Sequence, residues 1–168
     1  SAEAPATKSP AAKSPAKPAT NAGRIDVHRH FVPPGYVVDP RRTYLNDRST
    51  IPRQLEDMDR SGVSLAVMSI SASALAHPDA AQAPKFSRMA NEYSAKLCSD
   101  HPGRFGHFAY LPFPDIDASL KEIEYALDTL KADGVFLMTN YRDKFLGDPA
   151  FAPLFEELNR RRAVVYTH

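Results

Sequence analysis

From residue 24 onward the chain alternates between two hydrophobic textures. Short, nearly continuous apolar runs stand at "LAVMSI" (65–70), "FGHFAYL" (105–111), "VFLM" (135–138) and "AVVY" (163–166). Between them, apolar residues recur every three or four positions: Phe86, Met89, Tyr93 and Leu97; then Ile116, Leu120, Ile123, Leu127 and Leu130; then Leu154, Phe155 and Leu158. The continuous runs read as strands buried on both faces, and the spaced sets as amphipathic helices. "HPG" at 101–103 stops the first of these helices and Gly134 ends the second. Upstream, Ile25 to His28 reads as a short strand and 29 to 50 as a long polar loop. Pro52 to Ser61 reads as a helix, with proline in its first turn and Gly62 just past its end.

The resulting order, strand and helix in alternation, predicts an α/β fold with a parallel sheet and right-handed crossovers. A doubly wound sheet and a (β/α)8 barrel both fit. No G-x-G-x-x-G follows the first strand, which weakens the dinucleotide-binding version. A long loop after that strand suits a barrel, whose site is built from loops at the strands' C-terminal ends. A whole barrel takes roughly 250 residues. The expectation is therefore the first five strands of a TIM barrel, an incomplete one. Two strand edges would be left unpaired, which predicts missing chain, a partner that completes the sheet, or weak independent stability.

Composition divides the chain further. Residues 1–22 hold eight Ala, four Pro and three Lys, with no aromatic or large aliphatic residue. Such a segment buries too little surface to offset its ordering entropy, so it reads as a disordered linker before a domain at 23–168. Its "SPAAKSPAK" stretch is also compatible with a basic tail, but nucleic-acid arms need a denser charge run. The whole chain carries a formal charge of +1, which calls for neither nucleic acid nor a membrane surface. No apolar run approaches the roughly 20 residues of a bilayer span. The single cysteine, Cys98, cannot form an intramolecular disulfide. A first residue Ser1 is compatible with processing, including removal of an export signal.

The chemistry concentrates in histidines. In "RIDVHRHFVPP" His28 and His30 stand two residues apart at the end of the first strand. Side chains at i and i+2 of a strand share a face, with Cα atoms roughly 6.5 to 7 Å apart. Two imidazoles so placed can converge on one divalent cation, with Arg29 pointing away. His168 lies at the end of the fifth strand, where it can join them and leave positions open for water or substrate. An isolated H-x-H is common and often binds nothing, so strand-end placement is what raises the metal reading. His77 and His101 read as loop and turn residues, His107 as a hydrogen-bonded interior residue, and Cys98 as packed. Thr139, Asn140 and Tyr141, near the end of the fourth strand, can face a substrate or simply form a turn.

The blocks "RIDVHRHFVPPGY", "LEDMDRSGVSLAVMSIS", "ANEYSAKLCSDHPGRFGHFAYLPFPDIDASLKEIEYAL", "ADGVFLMTNY", "LGDPAFAPLFEEL" and "AVVYTH" occur in this order. Together they resemble the amidohydrolase-related family typified by aminocarboxymuconate-semialdehyde decarboxylase, and within it the 6-methylsalicylate decarboxylase branch. The resemblance implies a metal-dependent (β/α)8 barrel holding Zn²⁺ or sometimes Mn²⁺, with no organic cofactor. It implies His28, His30 and His168 as metal ligands. It also implies a later acid–base histidine and a metal-binding aspartate, neither of which is among these residues. A substrate-gripping arginine is implied between first strand and first helix, for which Arg48 and Arg53 are candidates; Asn140 is a further substrate-contact candidate from its place near the end of the fourth strand alone. The implied reaction is decarboxylation of a small aromatic or unsaturated carboxylic acid. Hydrolysis of a lactone or amide on the same barrel is the alternative, and an inactive, truncated or partner-dependent chain is another. The implied setting is cytoplasmic, and a homo-oligomer is compatible with it.

Overall fold

The computed structural model describes residues 23–33, 50–70 and 80–168. The 1–22 linker, Arg48 and His77 of the sequence reading lie outside the described residues. Strand β1 spans Arg24–Phe31, helix α1 Ile51–Ser61 and strand β2 Val63–Ile70. Helix α2 covers Ala83–Asp100, after one 3-10 turn, and leads to β3 at Phe105–Tyr110. Helix α3 (Ile116–Glu124) passes into a π-helical segment, Tyr125–Thr129, before β4 at Gly134–Leu137. A two-residue hairpin pairs β5 (Asn140–Tyr141) with β6 (Lys144–Phe145). Helix α4 (Ala152–Arg161) then precedes β7 (Val165–Thr167).

The main sheet has five strands in the order β1-β2-β3-β4-β7, with every pairing parallel. A doubly wound sheet reverses its strand order at a switch point. This one does not, and its strands curl as a half barrel. Strands β3 and β4 are buried along their whole length, which is why they read as unbroken apolar runs. Strand β1, at one edge, is mostly exposed until Phe31. It also runs three residues past the sequence expectation, because Phe31 pairs with Ile70 and packs beside Met58 and Tyr93.

Local chemistry explains the turns that place the strands. Gly62 ends α1 in the left-handed region at φ 67°, where a side chain is strained, and its N–H bonds back to the helix. Asp115 caps α3 by accepting the Ala118 N–H at 3.0 Å. A Cβ on Gly134 would lie 2.5 Å from the Val164 carbonyl oxygen. Only glycine therefore lets β4 start beside β7, where the Val135 N–H donates to that same oxygen at 2.9 Å. Asn91 of α2 ties the helix layer to the end of β3: its Oδ1 accepts the Tyr110 N–H and its Nδ2 donates to the Tyr110 carbonyl, both at 2.8 Å. Among the described residues no helix is long and apolar enough to cross a membrane.

Candidate metal centre

The ends of β1 and β7 bring three imidazoles together. His28, His30 and His168 each offer a ring nitrogen, and those atoms all lie within 4.8 Å of one another. His28 Nε2 and His30 Nε2 are 3.0 Å apart, and the His28 and His168 ring centroids 4.9 Å. Two nitrogens on a tetrahedral zinc, each at about 2.0–2.1 Å, would stand roughly 3.3 Å from each other. The histidine donor set and its spacing therefore fit a divalent transition metal.

His30 and His168 are held by different neighbouring elements. His30 lies opposite Ser69 of β2, whose Oγ is 3.1 Å from His30 Nδ1. From α1, the buried Gln54 amide donates through Nε2 to the His30 carbonyl at 3.0 Å. With Nδ1 of His30 engaged by the hydroxyl, Nε2 is the nitrogen left to face the other rings. Burial, followed by the neighbouring His28 and His168, pushes the His30 pKa below its ordinary value. The ring is then neutral at pH 7 and keeps a lone pair for a cation. His168 continues the β4–β7 ladder past the strand: its N–H donates to the Leu137 carbonyl at 2.9 Å and its carbonyl accepts the Thr139 N–H at 3.0 Å.

Aromatic side chains lie beneath the rings. Tyr166, two residues before His168, stacks on Phe108 with centroids 5.4 Å apart and on Phe136 at 6.1 Å, and meets His28 edge-on at 5.5 Å. The cluster thus has an aromatic floor.

The other sequence candidates stand elsewhere. Arg53, on α1, ion-pairs with Glu56 at 3.4 Å and Asp57 at 3.7 Å on its own helix. Asn140 is exposed in the β5–β6 hairpin, where its Nδ2 donates to the Arg142 carbonyl at 3.2 Å. Tyr141 is structural: its hydroxyl accepts the Met138 N–H at 2.9 Å and its ring meets Phe113 at 4.2 Å. Burial raises its phenol pKa well above the usual range. Sequence reasoning missed Ser69 and Gln54. Ser69 left a signal, as the one hydroxyl inside the apolar run "LAVMSI".

Against known proteins, the Amidohydrolase family model matches residues 25–168. The decarboxylase yanB of Aspergillus niger is 46% identical over 159 residues, which cover 86% of this chain and 43% of that protein. The 6-methylsalicylic acid decarboxylase of Penicillium expansum is 36% identical, covering 86% of this chain and 48% of that protein. The crystal structure of 2,6-dihydroxybenzoate decarboxylase complexed with 2,6-dihydroxybenzoate superposes with a TM-score of 0.74 at 25% identity, over 87% of this chain and 50% of that one. The chain spans about half the length of the curated relatives it matches.

Proposed function

The chain belongs to the amidohydrolase family, and from that premise we propose that the protein is a metal-dependent decarboxylase of a small aromatic carboxylic acid. The convergence of His28, His30 and His168 within 4.8 Å carries the reading. The similarity to 6-methylsalicylic acid and 2,6-dihydroxybenzoate decarboxylases supports the substrate class, an aromatic acid with an ortho oxygen or alkyl substituent. Three imidazoles favour zinc over manganese, whose preferred donors are oxygens.

When bound, a divalent cation supplies Lewis acidity toward substrate oxygens. The chain's own residues do the rest of the placing. Ser69 and Gln54 fix the ring and backbone of His30, and the Leu137 and Thr139 backbone fixes His168. Phe108, Phe136 and Tyr166 offer an apolar surface next to the cluster, suited to an aromatic ring. Decarboxylation breaks the ring–carboxyl bond and forms a ring C–H bond, so it consumes a proton. Ligating imidazoles present lone pairs rather than protons, so the donor is a group other than these three.

Arg53 and Asn140 are proposed only as rim residues for the substrate's polar groups, because both are exposed. The test is CO₂ release from 6-methylsalicylate and 2,6-dihydroxybenzoate by the zinc-loaded protein, with His28→Ala as control. Release that disappears in the variant is expected. Hydrolysis of a lactone with no CO₂ from either acid would replace this reading with a hydrolase.

A further inference from the structure

Strand β1 pairs with β2 through two offsetting register shifts: Arg24 lies opposite Val63 but Ile25 opposite Leu65, so β2 first takes two steps where β1 takes one. Asp26 then lies opposite Ala66 and Arg29 opposite Met68, so β1 takes three steps where β2 takes two. Val27 and His28, between them, carry no rung in this pairing. An extra unpaired residue on one strand is a β-bulge.

The bulge resets which way the histidines face after the shifted Ile25–Asp26 pair. Paired residues in neighbouring strands point to the same face, and side chains alternate along each strand. His30 and Ser69 are paired and touch on the inner face. Arg29 and Phe31, opposite Met68 and Ile70, therefore lie on the outer face, as does Asp26 opposite Ala66. Continued in the register of Ile25 and Asp26, His28 and His30 would follow Asp26 onto that outer face; the second shift restores the register that Arg24 opposite Val63 begins. A single-residue slip moves every later side chain across the sheet. Here the slip turns both rings inward, toward His168.

Asp26 spans the bulge with both carboxylate oxygens. Oδ1 accepts the N–H of His28, a residue that carries no rung in the pairing, at 3.1 Å. Oδ2 accepts from Arg29 Nε at 3.0 Å, in an ion pair only about a quarter exposed on either side chain. The carboxylate thus ties the residue before the slip to the first two residues of the turned segment.

We infer that Asp26 is a positioning residue whose carboxylate holds the β1 bulge and so aims His28 and His30 at His168. Its consequence for metal binding rests on the metal-site reading above; the bulge itself does not. Asp26 touches neither substrate nor cation in this arrangement.

The test compares wild type, Asp26→Asn and Asp26→Ala, with His28→Ala as reference. In metal-free protein, amide exchange at His28 is read by NMR. Asp26→Ala should speed it about tenfold, the factor that one lost hydrogen bond carries. Asp26→Asn keeps one acceptor and should speed it less. Co²⁺ titration, read by its visible absorption, should then show affinity falling on the order of 10–100-fold in Asp26→Ala, the scale of removing a ligand's supporting partner. Deleting Val27 supplies the second arm. It leaves two steps from Asp26 to Arg29, a regular strand with both histidines still inward. In that background Asp26→Ala should cost less than about threefold in Co²⁺ affinity. Unchanged His28 exchange in Asp26→Ala would overturn the inference, and so would an equal Co²⁺ loss with and without Val27. If His28→Ala leaves Co²⁺ affinity intact, the metal reading fails, while amide exchange still decides the role of Asp26.

Discussion

His30 on β1 and His107 on β3 share one property and differ in everything else. Burial pushes the pKa of each ring below its ordinary value. His107 is the more enclosed, at 2% exposure. Its backbone N–H donates to Asp133 Oδ2 at 2.8 Å, and its Nδ1 lies 3.6 Å from Cys98 Sγ. Its Nε2 has no hydrogen-bond partner among the described residues. His30 has a hydroxyl behind Nδ1 and two more imidazoles in front of Nε2. A buried neutral imidazole is thus only the raw material of a metal site. Convergence of other lone pairs on its free nitrogen makes the difference, and His107 has none.

The largest expected effect follows from that difference. His28→Ala or His168→Ala should weaken Co²⁺ or Zn²⁺ binding by on the order of 100-fold or more, at or beyond the loss expected for a mere supporting partner. His107→Leu should leave metal affinity within about threefold. A metal dependence on His107 equal to that on His28 would erase the contrast. Ser69→Ala removes the group behind His30 Nδ1 and should cost about tenfold in metal affinity. Ser69→Thr, which retains the hydroxyl, should recover most of it.

The pH dependence of folding separates the two rings more finely. A histidine whose folded pKa lies below its unfolded value of about 6.5 binds its proton preferentially in the unfolded chain. Its stabilising contribution is complete above that pH and is lost as pH falls toward the folded pKa. Thermal unfolding of the metal-free protein should therefore show Tm dropping between pH 7 and pH 5. His107→Leu should reduce that slope while leaving the share from His30. The charge of Asp133 opposes the shift at His107, so Asp133→Asn should steepen the slope. The smallest effect concerns Cys98. Burial, and then Asp133, push its thiol up to about 11. Alkylation of the folded protein should be slow at pH 8 and accelerate as pH approaches that value, since the thiolate is the nucleophile. Fast modification at pH 8 would place Cys98 in a more polar setting than the one beside His107.

The strand–helix alternation was legible because β3 and β4 are buried on both faces and the helices on one. A continuous run and a three-to-four spacing are different signals. The five-strand parallel order and the meeting of His28, His30 and His168 were legible for the same reason: parallel strands put their C-terminal ends on one side. The β1 bulge was not. "RIDVHRHF" read as a regular strand also places His28 and His30 on one face, so the sequence held no contradiction to expose. Only the pairing of Asp26 with Ala66 and Arg29 with Met68 reveals the slip. The π-helical Tyr125–Thr129 segment hid inside an apolar stripe that runs on to Leu130. The hairpin of Asn140–Tyr141 with Lys144–Phe145 is too short to show a period. Arg53 illustrates a further point: the resemblance marked it as a substrate-ligand candidate, and the sequence did not show that Glu56 and Asp57 one turn along pair with it.

Zinc K-edge X-ray absorption on the metal-loaded protein tests the central claim most directly. A site built from His28, His30 and His168 predicts imidazole scattering from three nitrogens at about 2.0–2.1 Å, reduced by one ring in His168→Ala. A first shell of oxygens without imidazole, or one unchanged by His168→Ala, would contradict it.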